Sequence, residues 1–279
     1  MKKYLVCNVL IIVSFSILFF SCQSHQKEKS NTLLSKSDIQ YSTRDSTFNT
    51  SPETVLKDFR SWWSYYYSKV NLAENFIGYN DSAKAITREE FLKLLQSGDY
   101  APIKTMIKDG VAEYKLYRLG NNRIDIGNII KQETGKVLFN FYQEGKPLPI
   151  FRFEDLNGNI YTPENTKGKI IVLKCWFIHC GTCVAEFPVI NQIVEQYKDR
   201  KDILFISLAS DEKQPLVNFL KTKKFDYETV PNQKKYMIAE LKVTVYPTHI
   251  IVGKDGKIKI IVGKAEDFLQ TLRNEAAKT

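Results

Sequence analysis

Cysteine and histidine are scarce in this sequence, and their scarcity excludes several classes of metal and haem site. The 279 residues include five cysteines and three histidines. A structural zinc site usually takes four ligands, often from two Cys-x-x-Cys pairs, and this chain has one such pair. A c-type haem attachment needs a histidine directly after the second cysteine, where this chain has Val184. We therefore expect no metal and no other cofactor.

Long runs of one charge sign are also missing. The formal net charge of +9 is spread along the chain and is not gathered into a basic patch. Such a spread is typical of a solvated basic surface, whereas nucleic-acid binding depends on clustered lysines and arginines. The sequence therefore predicts no nucleic-acid partner.

The N-terminal apolar stretch Leu5–Phe20 is shorter than the roughly 20 residues that a membrane-spanning helix needs. Two lysines precede it and Ser21-Cys22 follows it, so residues 1–21 are predicted to be a secretory signal peptide. The Ser-Cys pair resembles a bacterial lipobox, which predicts lipid attachment at Cys22. The alternatives are an ordinary signal peptide with an unrelated cysteine, or an uncleaved anchor. We expect a periplasm-facing lipoprotein of the bacterial cell envelope.

The mature chain would then keep three thiols, all between Cys175 and Cys183. An exported protein with cysteines in only one short segment is not a disulfide-stapled scaffold, so its stability must come from an apolar core. Hydrophobic residues make up 43% of the sequence, which is enough for one or two domains.

Cys180 and Cys183 form a Cys-x-x-Cys pair with Gly181-Thr182 between them. The pair lies between two segments whose apolar residues repeat at different spacings. Residues 170–178 before it form an apolar run, which indicates a buried strand, and the residues after it repeat apolar side chains at helical spacing. A helix N-terminus supplies free N–H groups and a positive dipole end, which stabilise a thiolate. This position predicts a redox-active pair, with an inert disulfide or a metal-bound pair as alternatives.

The segment before the pair is predicted to contain a tether and an accessory domain. Residues 22–50 are polar and indicate a flexible, lipid-anchored tether. Residues 51–144 are predicted to be a small α+β domain. A helix capped by Ser51 runs to Val70, and a second helix begins at a Thr87 capping box.

The first of these helices carries an aromatic stripe that includes Trp62 and Trp63. A stripe at helical spacing more often belongs to a core than to a ligand site. Docking of a glycan or peptide is the alternative.

Residues 145–279 are predicted to form the second domain. A hairpin turning at Asn157-Gly158 comes first, then the strand and helix on either side of the cysteine pair, and then further strands and helices. A hairpin turning at Asp255-Gly256 and a final helix close the chain. This order predicts an α/β fold, a mixed sheet with helices on both faces.

Several motifs occur in this second domain in a fixed order. They are Gly-Lys-Pro-x-Pro at 145–149, Lys-Gly-Lys-Ile-Ile-Val-Leu at 167–173, the cysteine pair followed by Glu186 and Pro188, Tyr246-Pro247-Thr248, and Asp255-Gly256-Lys257. Together they resemble the TlpA/ResA type of thioredoxin-fold protein, the membrane-tethered thiol–disulfide oxidoreductases of the bacterial envelope. The resemblance covers about residues 145–279. It implies a thioredoxin-like sheet and a cis-proline loop at Pro247.

Three positions depart from the family pattern. His179 stands where tryptophan is usual before the first cysteine, Gly181-Thr182 replaces the usual dipeptide, and Lys174 occupies the place of a buried aspartate in thioredoxins. These departures affect the redox potential more than the type of reaction. Peroxiredoxins, which share the fold, need threonine and proline at positions that are Phe177 and Leu173 here, so peroxide reduction is not expected.

The reaction assigns different roles to the two cysteines. Cys180 is predicted to attack a substrate disulfide, and Cys183 to release the substrate by attacking Cys180, which closes the Cys180–Cys183 redox disulfide. The resemblance implies that Glu186 accepts the proton of Cys183, with an ordinary surface glutamate as the alternative. His179 as an imidazolium lowers the Cys180 pKa, or is only an exposed ring over the site.

Neighbouring residues receive lesser roles. Tyr246, Pro247, His179 and Trp176 are predicted to bind the substrate. Lys174 is expected to extend its stem to the surface rather than act as a buried proton relay, Cys175 to be an inert core thiol, and His249 to be a structural sheet residue.

The sequence thus predicts a reductase for disulfides in exported proteins, supplied with electrons by a membrane thiol–disulfide donor. The same pair fits a disulfide isomerase or oxidase, because spacing alone does not fix the direction of electron flow. A binding lipoprotein that acts through its aromatic N-terminal domain is the alternative from another class.

Overall fold

Two five-stranded sheets organise the protein in the computed structural model, which describes residues 46–47 and 51–278. These residues belong to one compact unit. The predicted signal peptide, Cys22 and nearly all of the predicted tether lie outside the described residues. Within the described ranges, no helix has both the length and the hydropathy needed to cross a membrane.

The first sheet lies between residues 46 and 118, and its strands are adjacent in the order β1-β4-β5-β2-β3. Its strands are β1 (Ser46–Thr47), β2 (Phe76–Tyr79), β3 (Ala85–Ile86), β4 (Tyr100–Lys108) and β5 (Val111–Arg118). The accompanying helices are α1 (Pro52–Val55), α2 (Phe59–Lys69), α3 (Arg88–Gln96) and, after a 3₁₀ turn at Asn121–Arg123, α4 (Ile124–Phe141). Trp62, Phe91 and Tyr114 are completely buried in the core between these helices and the sheet.

The predicted first helix is in fact two helices. Ser51 caps α1 as expected, but this helix ends before Asp58, and a new helix, α2, begins after it. The Asp58 carboxylate accepts a hydrogen bond from the Ser61 N–H at 2.7 Å and so acts as a second N-cap. The capping box predicted at Thr87 is confirmed, since Thr87 and Glu90 satisfy each other's backbone N–H groups.

The second sheet belongs to residues 170–262, and its strands are adjacent in the order β10-β9-β8-β11-β12. The strands of this region are β6 (Phe153–Glu154) and β7 (Ile160–Tyr161), which form the predicted hairpin, and β8 (Ile170–Trp176), β9 (Ile203–Ala209), β10 (Glu228–Val230), β11 (Thr248–Val252) and β12 (Ile258–Val262). The helices are α5 (Gly181–Ala185), α6 (Phe187–Gln196), α7 (Lys213–Leu220), α8 (Lys234–Ala239) and, after a 3₁₀ turn at Glu266–Phe268, α9 (Leu269–Ala277).

Strand β8 occupies the centre of the second sheet and points at the cysteine pair. It runs parallel to β9 and antiparallel to β11, and all seven of its residues are buried. Alternate residues pack into different apolar clusters on the two faces, with Ile170 and Val172 on one face and Ile171 and Leu173 on the other. A central strand covered on both faces needs a nearly continuous apolar run. The predicted mixed sheet with helices on both faces is confirmed.

The segment between the two sheets is fastened to the second sheet. The Gly145 N–H donates to the Ile258 carbonyl at 2.8 Å, and the Ile258 N–H donates to the Lys146 carbonyl at 2.9 Å. Lys264, which follows β12, contacts Tyr67 in α2. It donates to the Tyr67 carbonyl at 3.0 Å, and its ammonium group lies 3.6 Å from the centre of the Tyr67 ring. Residues 145–149 are therefore not a free linker, and the exact domain boundary stays a prediction.

We expect Glu74, near this contact, to make stability depend on pH. Burial and the neighbouring Asp267 carboxylate raise the pKa of Glu74 to about 7. The folded protein then holds this proton to higher pH than the unfolded chain, so the free energy of unfolding falls as pH rises from about 4 to about 7. Glu74→Gln should remove that loss and gain about 2 kcal/mol relative to the unmodified protein between pH 5 and pH 8.

Urea denaturation at the two pH values measures this difference. Asp81→Asn, at an exposed loop position, is the matched control and should follow the unmodified protein. If the free energy of unfolding changed equally with pH in Glu74→Gln and in the unmodified protein, the expectation would be contradicted.

Candidate active site

The cysteine pair lies at the junction of β8 and α5. Cys180 is the N-cap residue of α5 and Cys183 lies in its first turn. The two sulfur atoms are joined in a disulfide of 1.95 Å. Cys180 is 6% exposed, whereas Cys183 is completely buried. Of the two residues, only Cys180 keeps any exposed surface.

Hydrogen-bond donors surround the Cys180 sulfur. The Cys183 N–H donates to it at 3.2 Å, and the Thr182 hydroxyl lies 3.5 Å away. Donors of this kind, together with the positive end of the helix, stabilise a thiolate more than a thiol. Thr182 was noted in the sequence only as a departure from the family dipeptide, and the structure brings its hydroxyl to the reacting sulfur.

The approach to the pair is fixed by the loop after β9. The Ile178 N–H donates to the Asp211 carboxylate at 2.8 Å, and the Ser210 N–H donates to the Trp176 carbonyl at 3.1 Å. Both contacts join residues more than 30 positions apart, and the sequence carried no signal for them. They hold the segment that leads into Cys180 in one position.

Trp176 requires a correction. It was predicted to bind the substrate, but its side chain is completely buried and packs against the Phe187 and Phe225 rings at 5.1 and 5.5 Å. A ring without exposed surface cannot contact an incoming protein. Trp176 instead forms the floor of the apolar cluster that also contains Cys183.

The loop before β11 lies beside the cysteine pair. The Tyr246–Pro247 peptide bond is cis, as the resemblance implied. Thr248 pairs with Cys175 in the sheet, so this loop reaches the same end of the sheet as the pair. The Tyr246 ring meets the Phe177 ring edge-on at 5.3 Å, and both Tyr246 and Pro247 are partly exposed. These two residues are thus placed where a substrate near Cys180 can touch them.

The remaining polar candidates next to the pair differ in exposure. His179 is exposed beside Cys180. Cys175 is a completely buried free thiol, as expected, and burial raises its pKa to about 12. A thiol that neither ionises near neutral pH nor reaches solvent cannot take part in exchange.

A buried charged cluster contains Glu186, three residues after Cys183, and it corrects the expectation for Lys174. The Lys174 side chain does not reach the surface: it is completely buried, with its ammonium nitrogen 2.5 Å from Glu186 Oε2. His249, also completely buried, places Nε2 at 3.0 Å from the same oxygen. Glu186 Oε1 accepts the Ala265 N–H at 3.1 Å. These three side chains form the Lys174–Glu186–His249 cluster.

The cluster shifts the pKa of each member. Burial alone would raise the pKa of Glu186, but the hydrogen bond from His249 and the charge and hydrogen bond of Lys174 outweigh it and lower the pKa to about 2. Burial lowers the pKa of Lys174 against the opposing attraction of Glu186. Burial also lowers the pKa of His249 to about 4, so its ring is neutral at pH 7. Glu186 is therefore an ionised carboxylate and not an ordinary surface glutamate.

One signal in the sequence pointed to this cluster. A lysine inside an apolar strand has to find a buried partner or reach the surface, and a carboxylate lies one helical turn after the cysteine pair. Whether Lys174 found a buried partner or reached the surface depended on two contacts of Glu186. They join it to residues 12 and 63 positions away in the chain, and periodicity does not reveal such contacts.

Comparison with known proteins agrees with the site. A family model described as thioredoxin-like matches residues 168–258, a range that contains the cysteine pair and the cis-proline loop. The chain is 31% identical over 131 residues to the thiol-disulfide oxidoreductase ResA of Bacillus cereus, covering 46% of this chain and 75% of that protein. It is 26% identical to ResA of Bacillus subtilis, covering 43% and 68% respectively.

Among solved structures, the chain is similar to the thioredoxin domain of a thiol-disulfide oxidoreductase from Bacteroides vulgatus. The identity is 22%, the TM-score is 0.43, and the match covers 47% of this chain and 96% of that one. The sequence matches to ResA proteins, the mixed sheet and the Cys180–Cys183 disulfide all agree. The chain therefore belongs to the ResA family of thiol-disulfide oxidoreductases.

Proposed function

We propose that the protein reduces disulfides in exported proteins through the Cys180–Cys183 couple. One observation carries this proposal: the pair is a disulfide in which only the first cysteine, Cys180, keeps any exposed surface. That asymmetry suits a couple in which one thiol engages the partner and the other closes the cycle. The enclosure of Cys183 also limits its reaction to Cys180.

The reaction consists of two exchanges. The Cys180 thiolate attacks one sulfur of the substrate disulfide, the substrate S–S bond breaks, and the released substrate sulfur takes up a proton. Cys183 then gives up its proton and attacks the Cys180 sulfur, which releases the second substrate thiol and forms the Cys180–Cys183 bond. The substrate gains two electrons and two protons. A thiol donor in the membrane then reduces the pair by the same steps in reverse.

We assign the proton of Cys183 to Glu186. The two residues are three positions apart at the α5–α6 junction, so they lie on the same side of the helical turn. Because its pKa is low, Glu186 is a carboxylate near neutral pH, which is the form that can take up a proton. Tyr246, Pro247 and His179 would contact the substrate around Cys180.

We also propose an envelope location. The support is the sequence alone: a basic start, a short apolar stretch and the Ser21-Cys22 pair, with Cys22 as the lipid-anchored residue facing the periplasm. A reductase held at the membrane is placed next to a membrane thiol donor. Radiolabelled palmitate should be incorporated into the full chain and lost in Cys22→Ala.

Reduction of insulin by dithiothreitol tests the activity. The protein should accelerate precipitation of the insulin B chain, and a Cys180→Ser, Cys183→Ser double variant should leave it at the uncatalysed rate. Acceleration by that variant would refute the proposal. Equilibration with glutathione then fixes the direction, since a potential near roughly −270 mV is that of a reductase and one near roughly −120 mV is that of an oxidase.

A further inference from the structure

The buried lysine of the cluster, Lys174, is not explained by stability. Lys174 is completely buried in a strand whose other residues are apolar or aromatic, apart from the Cys175 thiol. Transfer of an ammonium group and a carboxylate out of water is costly, and a buried ion pair is often no more stabilising than apolar residues of the same volume. The ion pair therefore has some other consequence. Its carboxylate belongs to Glu186, three residues after Cys183, which indicates what that consequence is.

The sheet places two of the cluster residues side by side. Lys174 on β8 and His249 on β11 are direct cross-strand partners, so their side chains leave the sheet on the same face. Glu186 enters from the α5–α6 junction above that face and meets both of them. Its Oε2 accepts from Lys174 and His249, and its Oε1 accepts from the Ala265 N–H. Each carboxylate oxygen is thus engaged and the group has one orientation.

The hydrogen bonds also define the proton positions. A neutral His249 can only donate to a carboxylate through Nε2–H, which leaves Nδ1 as an acceptor. That Nδ1 is buried and has no partner among the described residues. His249 therefore donates to Glu186 although its own Nδ1 acceptor has no partner. This arrangement suits a side chain that holds the carboxylate in place.

Other titratable groups face the cluster. They are Cys175 next to Lys174 on β8, Tyr227 ahead of β10, and Glu266 and Asp267 in the 3₁₀ turn that follows Ala265. Asp267 and Glu266 are acidic, so Lys174 is the cation that balances Glu186 inside the cluster.

We propose that Lys174 and His249 are positioning residues for the reaction: they hold Glu186 ionised and oriented, so that it can take the Cys183 proton at any pH near neutral. The proposal rests on the proposed function, because it concerns the proton of the second exchange. Without Lys174, Glu186 would be a buried carboxylate without a counter-charge, held by the His249 hydrogen bond, and its pKa would rise. The second exchange would then become dependent on pH.

The test is the rate of the second exchange, measured by mixing reduced full-length protein with a small aromatic disulfide and following release of its second thiolate from pH 5 to pH 8. For the unmodified protein, the rate of the second exchange should not fall at low pH through protonation of Glu186, a fall that we call the acid limb. Lys174→Met should be slow at low pH and recover by about tenfold per pH unit. Glu186→Gln should be slow throughout, without that limb.

The double variant Lys174→Met, Glu186→Gln separates this effect from a folding defect. It removes both charges together, which a buried site tolerates better than removal of one. If Lys174 acts through Glu186, the double variant should match Glu186→Gln, with no added pH dependence. His249→Leu should weaken the exchange, and His249→Gln, which keeps an N–H donor, should recover part of the loss.

The two proposals fail differently. If the unmodified protein does not reduce insulin, the proposed function itself is wrong. If it does, but Lys174→Met has the same pH profile as the unmodified protein, or shows the acid limb equally in the Glu186→Gln background, then Lys174 does not position Glu186.

Discussion

A Cys183→Ala variant should stop at a mixed disulfide between Cys180 and its substrate. Cys180 keeps its sulfur, with the Thr182 hydroxyl 3.5 Å away, and the small surface that the residue exposes, so the first exchange proceeds. The second exchange has no thiol, because the remaining nearby cysteine, Cys175, is buried with a pKa of about 12. Turnover in the insulin assay should fall to the uncatalysed rate, and the partner should stay attached.

Acid quenching of whole cells followed by non-reducing electrophoresis measures the trapped species. Bands that disappear on reduction should be present for Cys183→Ala and absent for Cys180→Ala, since the Cys183 sulfur is completely enclosed. Cys175→Ala is the matched control and should behave like the unmodified protein. Equal trapping by Cys180→Ala would reverse the assignment of the two sulfurs.

Such trapping would also show that Cys180 alone can carry out the first exchange with a substrate disulfide. A reductase or isomerase forms the mixed disulfide with proteins that already contain disulfides, whereas an oxidase traps proteins with free thiols only from its oxidised form. Reduced Cys183→Ala can therefore be mixed separately with reduced and with oxidised insulin, and the mixed disulfide measured in each case. We expect a mixed disulfide with oxidised insulin only, because a lone Cys180 thiol cannot oxidise anything.

Local features of the sequence predicted most of the second sheet and one helix that packs beside the first sheet. The strand Ile170–Trp176, the hairpins at Asn157-Gly158 and Asp255-Gly256, and the capped helix at Thr87 each depend on residues close together in the chain. Apolar periodicity and turn chemistry are sufficient for such elements. The cysteine pair belongs to this group, because its position between a strand and a helix is itself a local pattern.

Elements of the first sheet that depend on distant contacts were missed. Strand β4 contains Pro102, which argues against a strand, but among the described residues β1 pairs with β4 only at Met106 and Ile107. Within that part of the chain, no strand pairs with the proline on the β1 side, so no ladder N–H is lost there. Its carbonyl instead accepts the Tyr65 hydroxyl at 3.3 Å.

Helix α4 was missed for a related reason. Glycines weaken its helical signal. At Gly127 the glycine is required by packing, since a Cβ there would lie 2.4 Å from the Gly98 carbonyl oxygen. The close approach of α3 and α4 is a tertiary contact, and nothing in the spacing of the sequence reports it. The Lys174–Glu186–His249 cluster was missed in the same way, because its members come from two strands and a helix junction.

The aromatic stripe of α2 divides into a core residue and a surface residue. Trp62 is completely buried, whereas Trp63 is 39% exposed and stacks on Phe59 and Tyr67 at 6.2 and 6.3 Å. Trp62→Ala should lower the free energy of unfolding by about 3–5 kcal/mol, because it leaves a cavity in the first core. Trp63→Ala should change it by less than about 0.5 kcal/mol.

Guanidinium denaturation of the two variants, followed by far-ultraviolet circular dichroism, measures the contrast. Similar losses for both would place Trp63 in the core and contradict the exposure. The contrast also decides how the binding-lipoprotein alternative must be tested. A phenotype lost with Trp62→Ala reports unfolding, so only one that is lost with Trp63→Ala and kept in the Cys180→Ser, Cys183→Ser variant can show that this exposed face binds a partner.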